Sequence, residues 1–201
     1  MKKFIGVAFL CFLLFNAGCS SQPKGFTYKY NPEKYTGLDT LINIQGYYKV
    51  PYGCDEKFYS LVMFYPNGLV TIATDDDTYG SPKDIPNCFR FGGTVAVCQY
   101  PEWGLYEIKQ DTIKTQVIDD LGWVYGKRIV YRNYLILQNK ELQSISDYIS
   151  IDMKIEDNGG RYIENPCPKP AEFYSSESKR DTLICPWLKK KWFFEVNKSN
   201  E

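Results

Sequence analysis

No histidine occurs anywhere in the chain. That removes Ser-His-Asp and Cys-His nucleophile activation, and with them the commonest transition-metal ligand. Thiols, carboxylates and one lysine–aromatic run are what could still do chemistry. Cys54, Cys88 and Cys98 lie nearest the apolar hairpins, but no two of them have C-x-x-C spacing. A disulfide or buried thiol is therefore expected at these positions rather than zinc. Asp75-Asp76-Asp77 offers oxygen ligands for calcium, yet consecutive residues of an extended chain point to opposite faces, and no glycine-turned ligand loop follows. The expectation is a solvated loop. Asp119-Asp120 is weaker still, because paired carboxylates for glycoside hydrolysis need a set separation in space. No catalytic residue, metal or cofactor is assigned.

The run Trp187-Leu188-Lys189-Lys190-Lys191-Trp192-Phe193-Phe194 is the one unusual surface candidate. Aromatics flanking three lysines suit phosphate headgroups, peptidoglycan or an acidic partner. The plainer reading is a closing strand, with Trp and Phe packed inside and lysines guarding an edge. Trp103, Trp123, Trp187 and Trp192 are the candidate ligand or surface contacts, although aromatic core is the commoner use of such residues.

The elements that must position these residues read almost entirely as strands. Phe58 to Phe64 and Leu69 to Ile72 are apolar arms around Tyr65-Pro66-Asn67-Gly68, a tetrad suited to a type I turn in which Gly68 takes positive φ. The first arm is apolar on both faces, with Phe58, Val62 and Phe64 on one side and Leu61 and Met63 on the other. One face then belongs to a barrel interior, and the C-terminal segment is a candidate cover for the other. Leu41 to Val50 is the expected first strand, and Asp75 to Asp77 the expected end of the hairpin. Gly92-Gly93 is a turn into Thr94–Cys98. Trp103–Ile108 and Ile113–Ile118 form a second hairpin, in which Ile113, Thr115 and Val117 alternate with Lys114 and Gln116 as a half-exposed strand requires. A third runs from Ile129–Tyr131 and Tyr134–Leu137 through Gln138–Glu141 to Leu142. Ile149, Ile151, Met153 and Ile155 alternate with polar residues in the cleanest single strand, which Asp157–Gly160 turns back toward Tyr162 and Ile163. Residues 165–181 read as loop with one helical turn at Ala171–Tyr174, Trp187–Val196 as the closing strand, and residues 197–201 as a frayed end. An all-β antiparallel meander of about eight to ten short strands favours an up-and-down barrel with an irregular C-terminal segment, and closure removes exposed strand edges.

The N-terminus lies outside this pattern. Met1-Lys2-Lys3 is a short basic region, Phe4–Phe15 an apolar stretch too short to span a bilayer, and Asn16-Ala17-Gly18-Cys19 a small-residue site ending in cysteine. This resembles the signal peptide of a bacterial lipoprotein, although Asn16 stands where an aliphatic residue is usual. The resemblance implies removal of residues 1–18, fatty acylation (palmitate among the chains) at Cys19, and anchoring rather than spanning. Each buried methylene contributes about 0.8 kcal/mol to that anchoring. Ser20 after the cysteine implies the outer membrane, with the periplasmic face as the default. Residues 19–39, carrying Pro23, Gly25, Pro32 and Gly37, read as a tether that would reach roughly 25 Å as a flexible coil. The tyrosines at 28, 30 and 35 suit packing on the domain instead. Residues 40–196 make one domain. The full chain carries 24 basic and 24 acidic residues. Without Lys2 and Lys3 the balance is 22 against 24, a formal charge of −2, and nothing steers toward nucleic acid.

In an oxidising envelope, five cysteines remain to pair once Cys11 leaves with the signal and Cys19 takes lipid. Cys167 with Cys185 is the first expectation, since both sit beside proline at the ends of one irregular segment. A second bridge would use two of Cys54, Cys88 and Cys98. The hairpin rhythm from Leu41 to Ile155, and Gly46 followed by aromatics, resemble lipocalin-like envelope lipoproteins. Tyrosines stand here where that family's opening strand has tryptophan. The resemblance implies a non-enzymatic barrel that binds a small, partly apolar ligand. A module gripping another envelope protein, as inhibitor-type periplasmic lipoproteins do, is the rival expectation. An enzyme with an unrecognised carboxylate site ranks third.

Overall fold

The computed structural model describes residues 21–51, 58–76, 101–120, 127–150, 161–163, 169–176 and 181–194. One antiparallel sheet dominates it. A four-residue helical turn α1 (Leu38–Leu41) precedes β1 (Gly46–Pro51), β2 (Phe58–Phe64), β3 (Leu69–Asp76), β4 (Glu102–Lys109), β5 (Thr112–Asp120), β6 (Lys127–Ile136), β7 (Leu142–Ser150), β8 (Arg161–Ile163) and β9 (Glu172–Ser175). The order across the sheet is β8-β7-β6-β5-β4-β3-β2-β1-β9, so each strand from β1 to β8 pairs with its neighbours in sequence. Closure comes from β9. It pairs with β1 (Tyr48 opposite Phe173), and Ala171 just before it bridges Leu142 at the start of β7. Seven meander strands and β9 thus form a nearly closed eight-stranded up-and-down barrel, with β8 pairing only on β7 near its far end.

Period-2 alternation divides the apolar residues into two cores. Val62 and Phe64 of β2, Val70 and Ile72 of β3, Tyr106, Ile113, Val117 and Tyr134 form the inner one. Phe64 meets Tyr134 edge-on at 5.9 Å; these residues belong to strands four places apart in the sheet, so the contact crosses the lumen. Leu61 and Met63 of β2, Leu69, Trp103, Leu105, Ile118 and Ile129 form the outer core. It is covered by the chain's own ends: Phe26 and Tyr30 from one, Cys185, Trp187 and Phe193 from the other. The doubly apolar strand is therefore buried on both sides, with the C-terminal segment as part of the cover, as its composition required.

The hairpin turns follow the sequence closely. Gly68 takes φ 89° and its N–H closes the turn on the Tyr65 carbonyl at 3.2 Å. Gln110 and Asp111 join β4 to β5. Other expectations are corrected. Leu41 ends a helical turn, and the first strand begins only at Gly46. β3 continues through Asp75 and Asp76, which pair with Tyr59 and Phe58, so the aspartates extend the hairpin instead of ending it. β6 runs unbroken through Arg132 and Asn133, which pair with Thr115 and Lys114 in continuous register; the irregularity beside them lies in β7, where Ile145 is the extra residue between Ser144 and Ser146.

The largest correction concerns closure. Trp187–Val196 was the expected last strand and Ala171–Tyr174 a helical turn; the roles are reversed. Glu172–Ser175 closes the sheet, while Thr182–Ile184, Pro186–Lys189 and Lys191–Phe193 form three successive 3-10 turns. Pro186 has no N–H for a ladder, and Asp181 caps the first turn by accepting from the Leu183 N–H at 2.8 Å. The edge of β1 needs only main-chain partners, which Glu172–Ser175 supplies without any apolar alternation. Gly46 permits that contact: a Cβ there would lie 2.0 Å from the Tyr174 carbonyl oxygen. Gly92–Cys98 and the Ile151–Ile155 part of the cleanest strand lie outside the described residues, as do the signal segment and residues 197–201.

Candidate functional site

The two ends of the barrel differ. At one end the β2–β3, β4–β5 and β6–β7 connections are tight turns. Beneath them Tyr48, Phe64, Tyr106 and Tyr134 fill the lumen, with Phe64 edge-on to Tyr106 at 5.4 Å. Leu38 of α1, with Ile42 and Ile44, completes this apolar plug. Burial pushes the Tyr48 and Tyr106 hydroxyls up to about 12 from 10.0, even though Tyr48 donates to the Asn43 carbonyl at 2.8 Å and Tyr106 to that of Tyr65 at 2.7 Å.

At the other end the described strands enter and leave residues 52–57, 77–100, 121–126 and 151–160, which lie outside the described residues. Here the inward positions turn polar. The alternation that sends Val62 and Phe64 inward also sends Ser60 inward, and Arg132 follows Tyr134 in the same way. Both are buried, and an Arg132 Nη atom donates to Ser60 Oγ at 2.5 Å. This bond from β6 to β2 spans the lumen like the Phe64–Tyr134 contact. Thr115, also buried and inward, donates to the Arg132 carbonyl at 3.1 Å. Glu102 has the inward parity of Tyr106, with a buried Oε2. Asp119 has the inward parity of Val117, is buried, and accepts from Arg128 Nε on the neighbouring strand. The lumen therefore passes from an aromatic plug to a half lined by an arginine, hydroxyls and carboxylates. Such a surface can hold a polar head while presenting apolar wall beneath it. Among the described residues no three Cys, Asp or Glu side chains come together as a metal-ligand set.

The residues singled out from sequence are distributed otherwise. Trp103 is buried and stacked on Tyr65 at 5.7 Å, but on the outer face, where it cannot line the lumen. Trp187 is buried in the same outer core, with the Lys127 ammonium 4.6 Å from its ring centroid. Trp192 is half-buried against Phe26 and Phe193. Asp119 serves the ion pair with Arg128. Cys185 is a free thiol, buried, and pushed up to about 11 by that burial. The bridge expected to Cys167 is not formed at Cys185, which has been used as apolar core instead. Cys19, Cys54, Cys88, Cys98, Cys167, Trp123 and Asp77, and the side chains of Asp75, Asp76 and Asp120, lie outside the described residues.

Sequence reasoning missed the lumen polar set because Arg132 and Asn133 read as a break between two strands. An arginine at an inward period-2 position was the available signal. It also missed Gln116, whose place opposite Ile113 and Val117 marked it as solvent-facing. Gln116 is buried: its Oε1 accepts from the N–H groups of Thr27 (2.8 Å) and Tyr28 (3.0 Å), and its amide donates to Thr27 Oγ1 at 2.8 Å. A neutral amide where Lys114 and Lys109 show charge was the clue. The N-terminal segment is thereby fastened to the barrel wall. Tyr131 donates to the Gly25 carbonyl at 2.6 Å, the Tyr30 N–H to the Phe193 carbonyl at 2.7 Å, and Asn67 Nδ2 to the Tyr30 hydroxyl at 2.9 Å. A small surface cleft of about 30 Å³ between Tyr28–Thr36 and Gly68, Tyr106 and Glu107 has room for a water or two.

No protein-family model, curated protein or solved structure matches the chain.

Proposed function

We propose that this chain is a non-enzymatic, lipid-anchored protein of the bacterial envelope whose barrel binds a small amphipathic ligand in its polar half. The observation that carries the reading is the hydrogen bond from Arg132 to Ser60 across the lumen. A barrel built only for stability would bury apolar side chains at that depth, since a buried guanidinium is costly to desolvate. Arginine instead presents a fixed fork of donors to carboxylate or phosphate groups. Below it, the packed plug of Phe64 and Tyr134 forms an apolar floor on which a short chain or ring would rest. Anchoring rests on the Ala17-Gly18-Cys19 site, and envelope localisation, most directly the periplasmic face of the outer membrane, follows from it.

The rival reading of an interaction module drew on two features, the doubly apolar Phe58–Tyr65 strand and the Trp187–Phe194 lysine–aromatic run, and the first no longer supports it. Leu61, Met63 and Trp103 are covered by the chain's own ends and form no exposed apolar patch.

The test is extraction of the purified full chain with organic solvent, followed by mass spectrometry. Titration with a fluorescent fatty acid and with its uncharged alcohol accompanies it. The expected result is binding of the acid, weakened at least tenfold by Arg132→Met. A chain that co-purifies with no small molecule and binds neither probe would overturn the reading.

A further inference from the structure

The N-terminal segment expected to act as a spacer does not space. Phe26 and Tyr30 are packed into the outer core while residues 32–35 stay exposed, and the Lys29 ammonium ties three points together. Lys29 Nζ donates to Gln22 Oε1 at 2.9 Å and to the Trp192 carbonyl at 2.6 Å. Gln22 itself donates to the Phe26 carbonyl. The residue three places after Cys19 is thus fastened beside the C-terminal 3-10 turns. Three residues span at most about 11 Å, so the turn bearing Lys191 and Trp192 lies close to wherever Cys19 is held.

The charge of this face is one-sided. Residues 21–37 carry Lys24, Lys29 and Lys34 against Glu33, and residues 181–194 carry Lys189, Lys190 and Lys191 against Asp181. Lys24, Lys29, Lys34, Lys189 and Lys191 are exposed and Lys190 is half-buried. Glu107 of β4, in the cleft with Lys29 and Lys34, is the carboxylate facing them from the barrel. Trp192 lies half-buried among these lysines with its ring against Phe26. Ammonium groups around an indole, within about a Debye length of a lipid anchor, are what an anionic headgroup layer recognises.

We propose that the face formed by the start of the N-terminal segment and the Lys189–Trp192 turns lies flat on an anionic lipid surface, holding the barrel in one orientation on the membrane. The inference deepens the anchored reading and rests on acylation of Cys19. Lipid chains supply the attachment; the lysines supply the orientation and a second, salt-sensitive contribution, each strengthening affinity about fivefold at an anionic surface.

The experiment is lysine footprinting of the full chain, purified from membranes and reconstituted into vesicles of phosphatidylethanolamine with 30% phosphatidylglycerol, or of phosphatidylcholine alone. A water-soluble acylating reagent is used, and the mass of the N-terminal peptide is read from the same sample. The expected result is several-fold slower labelling of Lys24, Lys189 and Lys191 on the anionic vesicles. That protection should be abolished by high salt, while Lys140 in the β6–β7 turn is unchanged. Equal labelling on both vesicle types, with an acylated N-terminal peptide, overturns the orientation and leaves the anchor standing. Protection without acylation would instead uphold the lysine face and remove the anchor. Neither protection nor acylation overturns both.

Discussion

Phe193 is the residue that decides whether the chain's two ends are part of the barrel or attachments to it. Its ring is fully buried, stacked on Phe26 at 5.8 Å, tilted against Tyr30 at 5.8 Å and edge-on to Trp192 at 5.9 Å, and its carbonyl accepts from the Tyr30 N–H. Phe193→Ala removes the ring that joins both segments over Leu61 and Met63. A buried Phe→Ala substitution costs about 3–5 kcal/mol, because the surrounding side chains only partly collapse into the space. With a urea m-value of about 2 kcal/mol per M, the unfolding midpoint should fall by roughly 1.5–2.5 M. Leu183→Ala, ten residues earlier and 76% exposed, is the control and should shift stability by less than about 0.5 kcal/mol. Urea unfolding is followed by tryptophan fluorescence and far-ultraviolet circular dichroism together. Coincident transitions with a large shift for Phe193→Ala alone are expected. A Phe193→Ala midpoint indistinguishable from that of Leu183→Ala would refute the claim that these segments seal the outer core.

Three further outcomes are expected. Gly46→Val should detach β9, since its Cβ would meet the Tyr174 carbonyl oxygen at 2.0 Å; the exposed β1 edge should show as lowered melting temperature and concentration-dependent association, and an unchanged melting curve would count against closure by β9. Ser60→Ala should cost about 1.5–3 kcal/mol by stripping the lumen arginine of a partner, read from urea midpoints, whereas a neutral result would place Arg132 in contact with solvent. Stability should fall as the pH rises past about 9. Cys185 is held at about 11 from 9.0, and Tyr48 and Tyr106 at about 12 from 10.0. Raised folded values mean that the unfolded chain loses its protons first, so stability is full below the unfolded values and is lost across pH 9–12. Alkaline titration of the native tyrosines by ultraviolet absorbance, with no delay relative to free tyrosine, would contradict that.

What the sequence determined by itself is the local grammar. β-branched and aromatic alternation set the strands of β2 to β5, Tyr65–Gly68 set the turn between β2 and β3, and the doubly apolar β2 demanded a cover on each face. These follow from period, propensity and turn chemistry, which act within a few residues and are visible in one dimension. The tertiary structure alone decided which segments complete the barrel and what its lumen contains. Glu172–Ser175 has no apolar alternation to announce it, because a closing strand against β1 needs main-chain hydrogen bonds and the small surface of Gly46 more than any side chain. Trp187–Phe193 has the composition of a strand but lies across the outer face, because Pro186 cannot join a ladder and the edge is already taken. Gln116 and Arg132 look like solvent-facing and strand-breaking residues until Thr27 and Tyr28 arrive over the one and Ser60 across the lumen from the other. Those partners lie 72 to 89 residues away, and only closure of the sheet brings them within reach of a hydrogen bond.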